Sequence, residues 1–268
     1  MATHLSEFVS VLQERWREVD LLTYQLVEFD NKDMDECHYS ALSRSASVLI
    51  VAHLEGFIKD LVKAVIHDIN ANCDFSSLSI AVQKTFCRKF LGSEDNIANY
   101  HFYSNQLITQ FKETGCLISP EPFLFIDNKN PKPDVIKSVF SNFGISNVFA
   151  HLKDSDFDEV FEDMANTKLS ERCNLALSKL KEDIDTFPYK SEPRTFNLKK
   201  AKLGQNERTL WQTFLDDINQ KRHDVAHGNS FTSAESASTL HRRKETVRYL
   251  QLALIYLISA APILNRPS

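Results

Sequence analysis

Residues 206–229 read NERTLWQTFLDDINQKRHDVAHGN and decide how the fold and the candidate site are interpreted. Apolar residues recur in this stretch at the spacings of one helical face, which predicts an amphipathic helix over 206–227. They are Leu210, Trp211, Phe214, Leu215 and Ile218. Asn206 is a candidate N-cap, and Gly228 suits the position just beyond the helix, where glycine is favoured. The turn before this glycine is strongly polar, although apolar helices are predicted on both sides of it.

The same periodicity predicts long helices elsewhere in the chain. The core helices are expected at 3–29, 39–72 and 233–260, in addition to 206–227. Shorter helices are expected at 77–91, 95–113, 134–143 and 166–185. A proline-rich loop over 115–134 includes a candidate short strand at 123–126. With only 6 glycines and 8 prolines in 268 residues, an all-β fold is disfavoured. The expectation is an all-α helical bundle, one domain over 1–268, with a possible insertion at 115–204.

Composition limits the classes of function. No apolar run is long enough to span a membrane, and no signal peptide is visible at the N-terminus. Five cysteines at scattered spacings indicate a reducing, cytoplasmic compartment. The net charge of -5 does not favour nucleic-acid binding, so such a site must be local. Basic residues near the motif are expected to form a positive patch: Lys190, Arg194, Lys199, Lys200, Lys202, Arg208, Lys221, Arg222, Arg242, Arg243 and Lys244.

The polar turn RHDVAH at 222–227 allows two interpretations from its residues alone. His223 and His227 are four residues apart, so they share a helical face and could bind zinc. However, Asp224 is shorter than the glutamate of the known HExxH motif, and a third ligand would have to come from Glu235 or His241. The other interpretation is structural: the cations stabilise the helix end, Asp224 pairs with one of them, and the histidines fill a polar seam.

A third interpretation comes from a family resemblance. The run R-H-D-V-A-H-G at 222–228, placed between two helices, resembles the R-x4-H motif of HEPN domains. The segments L-S-R-S-A at 42–46 and H-L-E-G-F at 53–57 resemble the N-terminal helical pair of a bacterial HEPN group. The resemblance covers about 39–72 and 206–260. HEPN domains are all-α, and some of their toxins carry tyrosine two residues after the motif histidine. This chain has Asn229 there, so tyrosine modification by an antitoxin is not implied.

The resemblance implies a metal-independent endoribonuclease, without a cofactor, that works as a homodimer. It also implies a toxin–antitoxin or phage-defence system, with RNA as substrate and an antitoxin or defence protein as partner. In this interpretation His227 is the general acid or base and Arg222 binds the phosphate. His223 and Asp224 orient or assist, and Glu55 is a further candidate from the second helix. The rival hypothesis is a catalytically inactive scaffold of the same fold that binds a protein or a nucleotide.

Overall fold

A computed structural model describes residues 2–30, 35–92, 94–124, 130–162, 165–190, 196–198, 201–204, 207–228 and 234–265. These residues form helices, short 3-10 turns and one isolated bridge between Leu78 and Leu264, with no strand among them. The helices are α1 His4–Ser10, α2 Arg17–Asp30, α3 Glu36–Asn72, α4 Ile80–Leu91, α5 Tyr100–Thr114, α6 Pro133–Ser141, α7 Val148–Leu152, α8 Asn166–Ile184, α9 Leu210–Ala226 and α10 Ala237–Ser259. The all-α prediction is confirmed.

Helices α3 and α10 form the centre of the bundle. Helix α10 packs against α8, α3 and α2, while α3 also packs against α1, α2 and α9. Every residue of α10 from Tyr249 to Ser259 is buried, as expected for a helix enclosed by others. The prediction that this is a core helix is therefore confirmed. Its apolar surface is buried within one protomer and is not free to join two protomers.

Several predicted helix boundaries differ from the structure. The predicted first helix, 3–29, is divided into α1, a 3-10 turn at Glu14–Trp16, and α2. Backbone bonds of the i to i−3 type tighten the chain there, at Leu12, Glu14 and Trp16. With this tighter winding Leu12 and Trp16 both stay buried. The last helix begins at Ala237, later than predicted, because the Ser236 side chain caps it by accepting from the Thr239 amide.

The middle of the chain follows the predicted pattern in part: α5 begins at Tyr100, later than predicted, and the short helix α7 was not predicted. Gly92 follows the last residue of helix α4, and the turn after α6 ends at Gly144. Both glycines have positive φ, a conformation that glycine adopts readily at helix ends. The candidate strand at 123–126 is not a strand where it is described, because Glu121–Phe123 form a 3-10 turn. Residues 125 and 126 lie outside the described part. The proposed insertion at 115–204 stays a prediction.

A buried cluster of charges lies on α10. Lys244 and Glu245 are 4% and 1% exposed, and their side chains approach to 2.9 Å. Arg248 lies 2.7 Å from the same carboxylate, and Lys244 also pairs with Asp20 of α2. The ions are thus satisfied by one another, which is the condition for burying charge in a helical core.

No helix within the described ranges is both long enough and apolar enough to cross a membrane. All five cysteines are free thiols. Burial raises the pKa of the Cys87 thiol to about 11 and that of the Cys173 thiol to about 12. These two thiols therefore stay protonated at neutral pH and act as small apolar residues of the core.

Candidate active site at the end of helix α9

Helix α9 begins at a capping box. The Thr209 side chain accepts from the Gln212 amide, and the Gln212 side chain accepts from the Thr209 amide. The N-cap predicted at Asn206 is therefore wrong, and Asn206 itself lies outside the described residues. Trp211, Leu215 and Ile218 are buried as predicted, whereas Leu210 is 54% exposed. At the other end, Gly228 has φ of +71°, which confirms it as the residue that ends the helix.

The last turn of α9 presents three different faces. Each residue of an α-helix is rotated by about 100° from the one before. Lys221, Asp224 and Val225 therefore share one face, His223 and His227 share a second, and Arg222 lies on a third. The side-chain contacts in the structure follow this division. Arg222 and His227 are consequently directed apart, as their five-residue spacing predicts.

The Arg222 face is anchored to a distant loop. The guanidinium donates from Nη1 to the side-chain oxygen of Asn130, at 2.6 Å, across 92 residues of sequence. Asn130 precedes α6, which packs against α9. An amide oxygen orients the guanidinium but carries no net charge to neutralise it. No carboxylate of the described residues forms an ion pair with Arg222, so within this part of the chain its positive charge is oriented but not neutralised.

The histidine face is open to solvent. The rings of His223 and His227 lie 4.2 Å apart between centroids, inclined by 49°. Both residues are exposed. His227 is the C-cap of α9, and its amide donates to the His223 carbonyl, so the two residues are held by backbone as well as by ring contact. A substrate at the surface can therefore reach both imidazoles directly.

The third face lines a pocket of about 220 Å³. Helix α3 contributes Ser43, Arg44 and Ser47 to its wall, and Glu235 closes it before α10. From α9 come Lys221, Asp224 and Val225. Asp224 accepts a hydrogen bond from the Gln220 side chain at 2.9 Å. Thus a pocket with polar walls adjoins the histidine face.

Glu235 holds the three helices around this pocket together. Its carboxylate pairs with Lys221 of α9 at 2.9 Å and with Arg243 of α10, and accepts from Ser47 of α3. Its backbone amide and carbonyl both bond to the buried Ser43 hydroxyl. No sequence pattern indicated this role, because all these partners come from other turns or other helices. Glu235 is thus a positioning residue for the end of α9.

Comparison with known families decides the assignment. The family model described as RiboL-PSP-HEPN matches residues 10–259. The chain belongs to this HEPN family. The match includes α9, its terminal motif and the central helices α3 and α10. No curated protein and no solved structure matches the chain.

The predicted site residues of this HEPN chain are only partly brought together. Arg222, His223, Asp224 and His227 all lie in the last turn of α9. Glu55 does not join them: its carboxylate pairs with Lys59 one turn along α3, at 2.7 Å. Along the α3 axis, Glu55 is about two turns, or about 12 Å, from Ser47. Ser47 is the pocket-wall residue of α3 that is nearest to Glu55 in sequence.

Two other predictions about this HEPN site concern metal and charge. Within the described ranges no group of three or more His, Cys, Asp or Glu side chains is placed to hold a metal ion. Glu235 is engaged by two cations and a hydroxyl, as described above. His241, the other candidate third ligand, is half-buried on α10. Burial of the imidazole lowers its pKa, and the charge of nearby Lys244 lowers that pKa further. The zinc interpretation therefore lacks a third ligand in the described part.

The predicted positive patch lies only partly within the described residues, where several of its cations are ion-paired. Arg208 pairs with Asp216, Lys190 lies 3.8 Å from Asp183, and Lys244 is buried. Lys221 and Arg243 both pair with Asp217 and Glu235. Lys199, Lys200 and Arg194 lie outside the described residues. Ion pairing thus neutralises most of the described cations, and Arg222 is the exception on the motif turn.

Proposed function

We propose that this HEPN chain is a metal-independent endoribonuclease with Arg222 and His227 at its active site. HEPN domains are often ribonucleases. The observation that carries the proposal is the hydrogen bond from Arg222 to the neutral side-chain oxygen of Asn130. The neighbouring Lys221 is instead neutralised by the Glu235 carboxylate. An oriented guanidinium that no described carboxylate neutralises, beside an exposed histidine, is suited to a phosphodiester.

The proposed reaction uses the RNA 2′-hydroxyl as nucleophile. A histidine accepts its proton, the 2′-oxygen bonds to phosphorus, and the bond to the 5′-oxygen of the next nucleotide breaks. A second histidine protonates that leaving oxygen, so the products are a 2′,3′-cyclic phosphate and a 5′-hydroxyl. Histidine suits both steps because its unperturbed pKa lies near neutral pH. The Arg222 guanidinium stabilises the negative charge of the phosphorane.

A dimer would remove the difficulty that Arg222 and His227 point apart in one protomer. We therefore propose a homodimer in which Arg222 of one protomer and His227 of the other act on the same phosphate. The apolar face of α10 is buried and cannot form the contact. Helix α2 instead exposes an apolar stripe, with Leu21, Tyr24 and Val27 at 58%, 62% and 49% exposure. Such a stripe favours helix association.

The dimer is tested by changing this stripe. Tyr24→Glu should shift the protein from dimer to monomer in sedimentation at micromolar concentration, because a charge would be buried against Leu21 and Val27. RNA cleavage should fall in parallel. The matched control is Phe102→Glu, at a residue of α5 that is 57% exposed. A wild-type protein that sediments only as a monomer, yet cleaves RNA, would contradict the shared site.

The biological role that fits this activity is a toxin or a phage-defence nuclease, with a partner protein that restrains it. This part of the proposal is supported by the R-x4-H resemblance and not by any contact in the fold. Expression in growing cells tests it. The wild type should arrest growth, and His227→Ala should not. Equal growth of both would favour the scaffold hypothesis, in which the motif is inactive.

A further inference from the structure

The two histidines on the open face of α9 have the arrangement of a chelating pair. Positions four apart on a helix are neighbours, with Cβ atoms about 5–6 Å apart. The imidazole rings of His223 and His227 lie 4.2 Å apart between centroids, and both side chains are exposed. Two zinc–nitrogen bonds of about 2.0–2.1 Å each span at most about 4 Å. Since the nitrogens lie at the ring edges, rings at this separation can both reach one ion.

The two imidazoles are not engaged elsewhere in the described part of the chain. Neither His223 nor His227 forms a side-chain hydrogen bond or an ion pair with a described residue. The His227 amide donates to the His223 carbonyl at 3.0 Å, so the backbone that carries both rings is already fixed. A metal ion would therefore displace no described contact, and it would have little left to order.

The charges around this end of α9 favour a cation. The last carbonyls of a helix carry partial negative charge, and α9 is 17 residues long. Asp224 lies between the two histidines in sequence, and no described cation forms an ion pair with it. Of the nearby cations, Lys221 is neutralised by Glu235, and Arg222 is bonded to Asn130 on another face. A divalent cation therefore meets little repulsion from the described residues.

We infer that His223 and His227 form a reversible site for a divalent transition-metal ion such as Zn²⁺, and that the bound ion inhibits the ribonuclease. Imidazole suits zinc, nickel and copper, whereas magnesium prefers oxygen ligands. Catalytic zinc sites have three protein ligands, so two histidines, with water completing the shell, make an exchangeable site. The ion occupies the nitrogen lone pairs that proton transfer needs. The inhibition rests on the proposed function, whereas the binding does not.

Titration of Zn²⁺ into the untagged, metal-free chain, followed by calorimetry, tests the binding. Cu²⁺ should bind more tightly than Zn²⁺, in the general order of affinities for such ligands, and Mg²⁺ should not bind. His223→Ala and His227→Ala should each weaken Zn²⁺ binding at least about 10-fold. Even residues that only support a metal ligand are worth about 10- to 100-fold in affinity.

The matched control is His67→Ala, which should keep the Zn²⁺ affinity of the wild type. His67 and His4 form another close pair of rings, at 5.3 Å between centroids. They come from different helices, α3 and α1, and His4 lies 3.7 Å from the Glu7 carboxylate. Zn²⁺ binding that is lost in His67→Ala but kept in His223→Ala would place the metal at the other pair and overturn the inference.

RNA cleavage measured beside binding separates the metal site from the catalytic proposal. Zn²⁺ should slow cleavage at the concentrations that fill the site, and EDTA should restore the rate. No binding at millimolar Zn²⁺, or an unchanged cleavage rate when the site is filled, would overturn the inference. Cleavage by a protein that binds no Zn²⁺ would still leave the ribonuclease proposal standing. Zn²⁺ binding that needs both histidines, in a protein that cleaves no RNA, would support the site and contradict the ribonuclease.

Discussion

Arg222→Lys is expected to reduce RNA cleavage by at least about 100-fold while leaving the folded structure unchanged. Lysine keeps the positive charge but loses the planar, forked set of donors that can bind Asn130 and a phosphate together. His227→Ala should cause a loss of about 100- to 10,000-fold, the usual range for a general acid or base. The measurement is the initial cleavage rate of a labelled RNA by each purified variant.

Combined and control variants give this prediction its specificity. The Arg222→Ala/His227→Ala double variant should be little slower than either single variant, because residues that act as a unit are not additive. Arg208→Ala and His101→Ala remove exposed residues of the same types elsewhere, and should keep full activity. Melting temperatures should change little, since His227 is exposed and Arg222 is only partly buried. Losses proportional to a lowered folded fraction would instead indicate that Arg222 and His227 are structural.

The largest expected effect on stability comes from Glu245. Glu245→Gln should lower the free energy of unfolding by about 3–5 kcal/mol, because it removes the buried anion shared by Lys244 and the partly buried Arg248, and leaves Lys244 with Asp20 alone. Lys244→Met should lower the free energy of unfolding by less than Glu245→Gln does, since the Glu245–Arg248 pair remains. Urea unfolding at pH 7 measures both. The control is Glu121→Gln, which breaks the exposed pair with Lys89 and should change stability by less than about 0.5 kcal/mol.

The pH dependence of this effect has a definite sign. Burial acts to raise the pKa of Glu245, but Arg248 and Lys244 outweigh burial and hold the pKa below its usual range. The unfolded state therefore binds the proton more readily than the folded state. The stabilisation by the Glu245 charge is present above the unfolded pKa and is lost as pH falls through the folded pKa. The difference between wild type and Glu245→Gln should shrink below about pH 4.

Local patterns predicted the helices and the end of α9 because both depend on neighbouring residues. Periodic apolar residues predicted α3 and α10, and Gly228 after the motif predicted the end of α9. Each of these signals lies within the helix it describes or directly beside it. The start of α9 was misplaced because Thr209 and Gln212 form a reciprocal cap, a better signal than Asn206. The break in the first predicted helix could not be predicted from the apolar periodicity. Leu12 and Trp16 fit the apolar face whether the chain there is an α-helix or a 3-10 turn.

The arrangement of the candidate site residues was predicted in part, for a related physical reason. The four motif residues are adjacent in sequence, so their common turn followed from the helix itself. The partner of Arg222 is Asn130, in a loop 92 residues earlier, and no local spacing relates the two. Glu55 was proposed because of its residue type, but the carboxylate that reaches the motif turn belongs to Glu235. The ion pairing of Lys190, Arg208 and Lys244 was not predicted, because counting cations does not show which carboxylates will pack against them.

Product analysis of RNA cleaved by the wild-type protein in excess EDTA tests the central claim most directly. If Arg222 and His227 carry the reaction, cleavage should continue at an unchanged rate after chelation. The fragments should then carry 2′,3′-cyclic phosphate and 5′-hydroxyl ends. Loss of cleavage on chelation, restored by zinc, or fragments with 5′-phosphate and 3′-hydroxyl ends, would contradict the proposed mechanism.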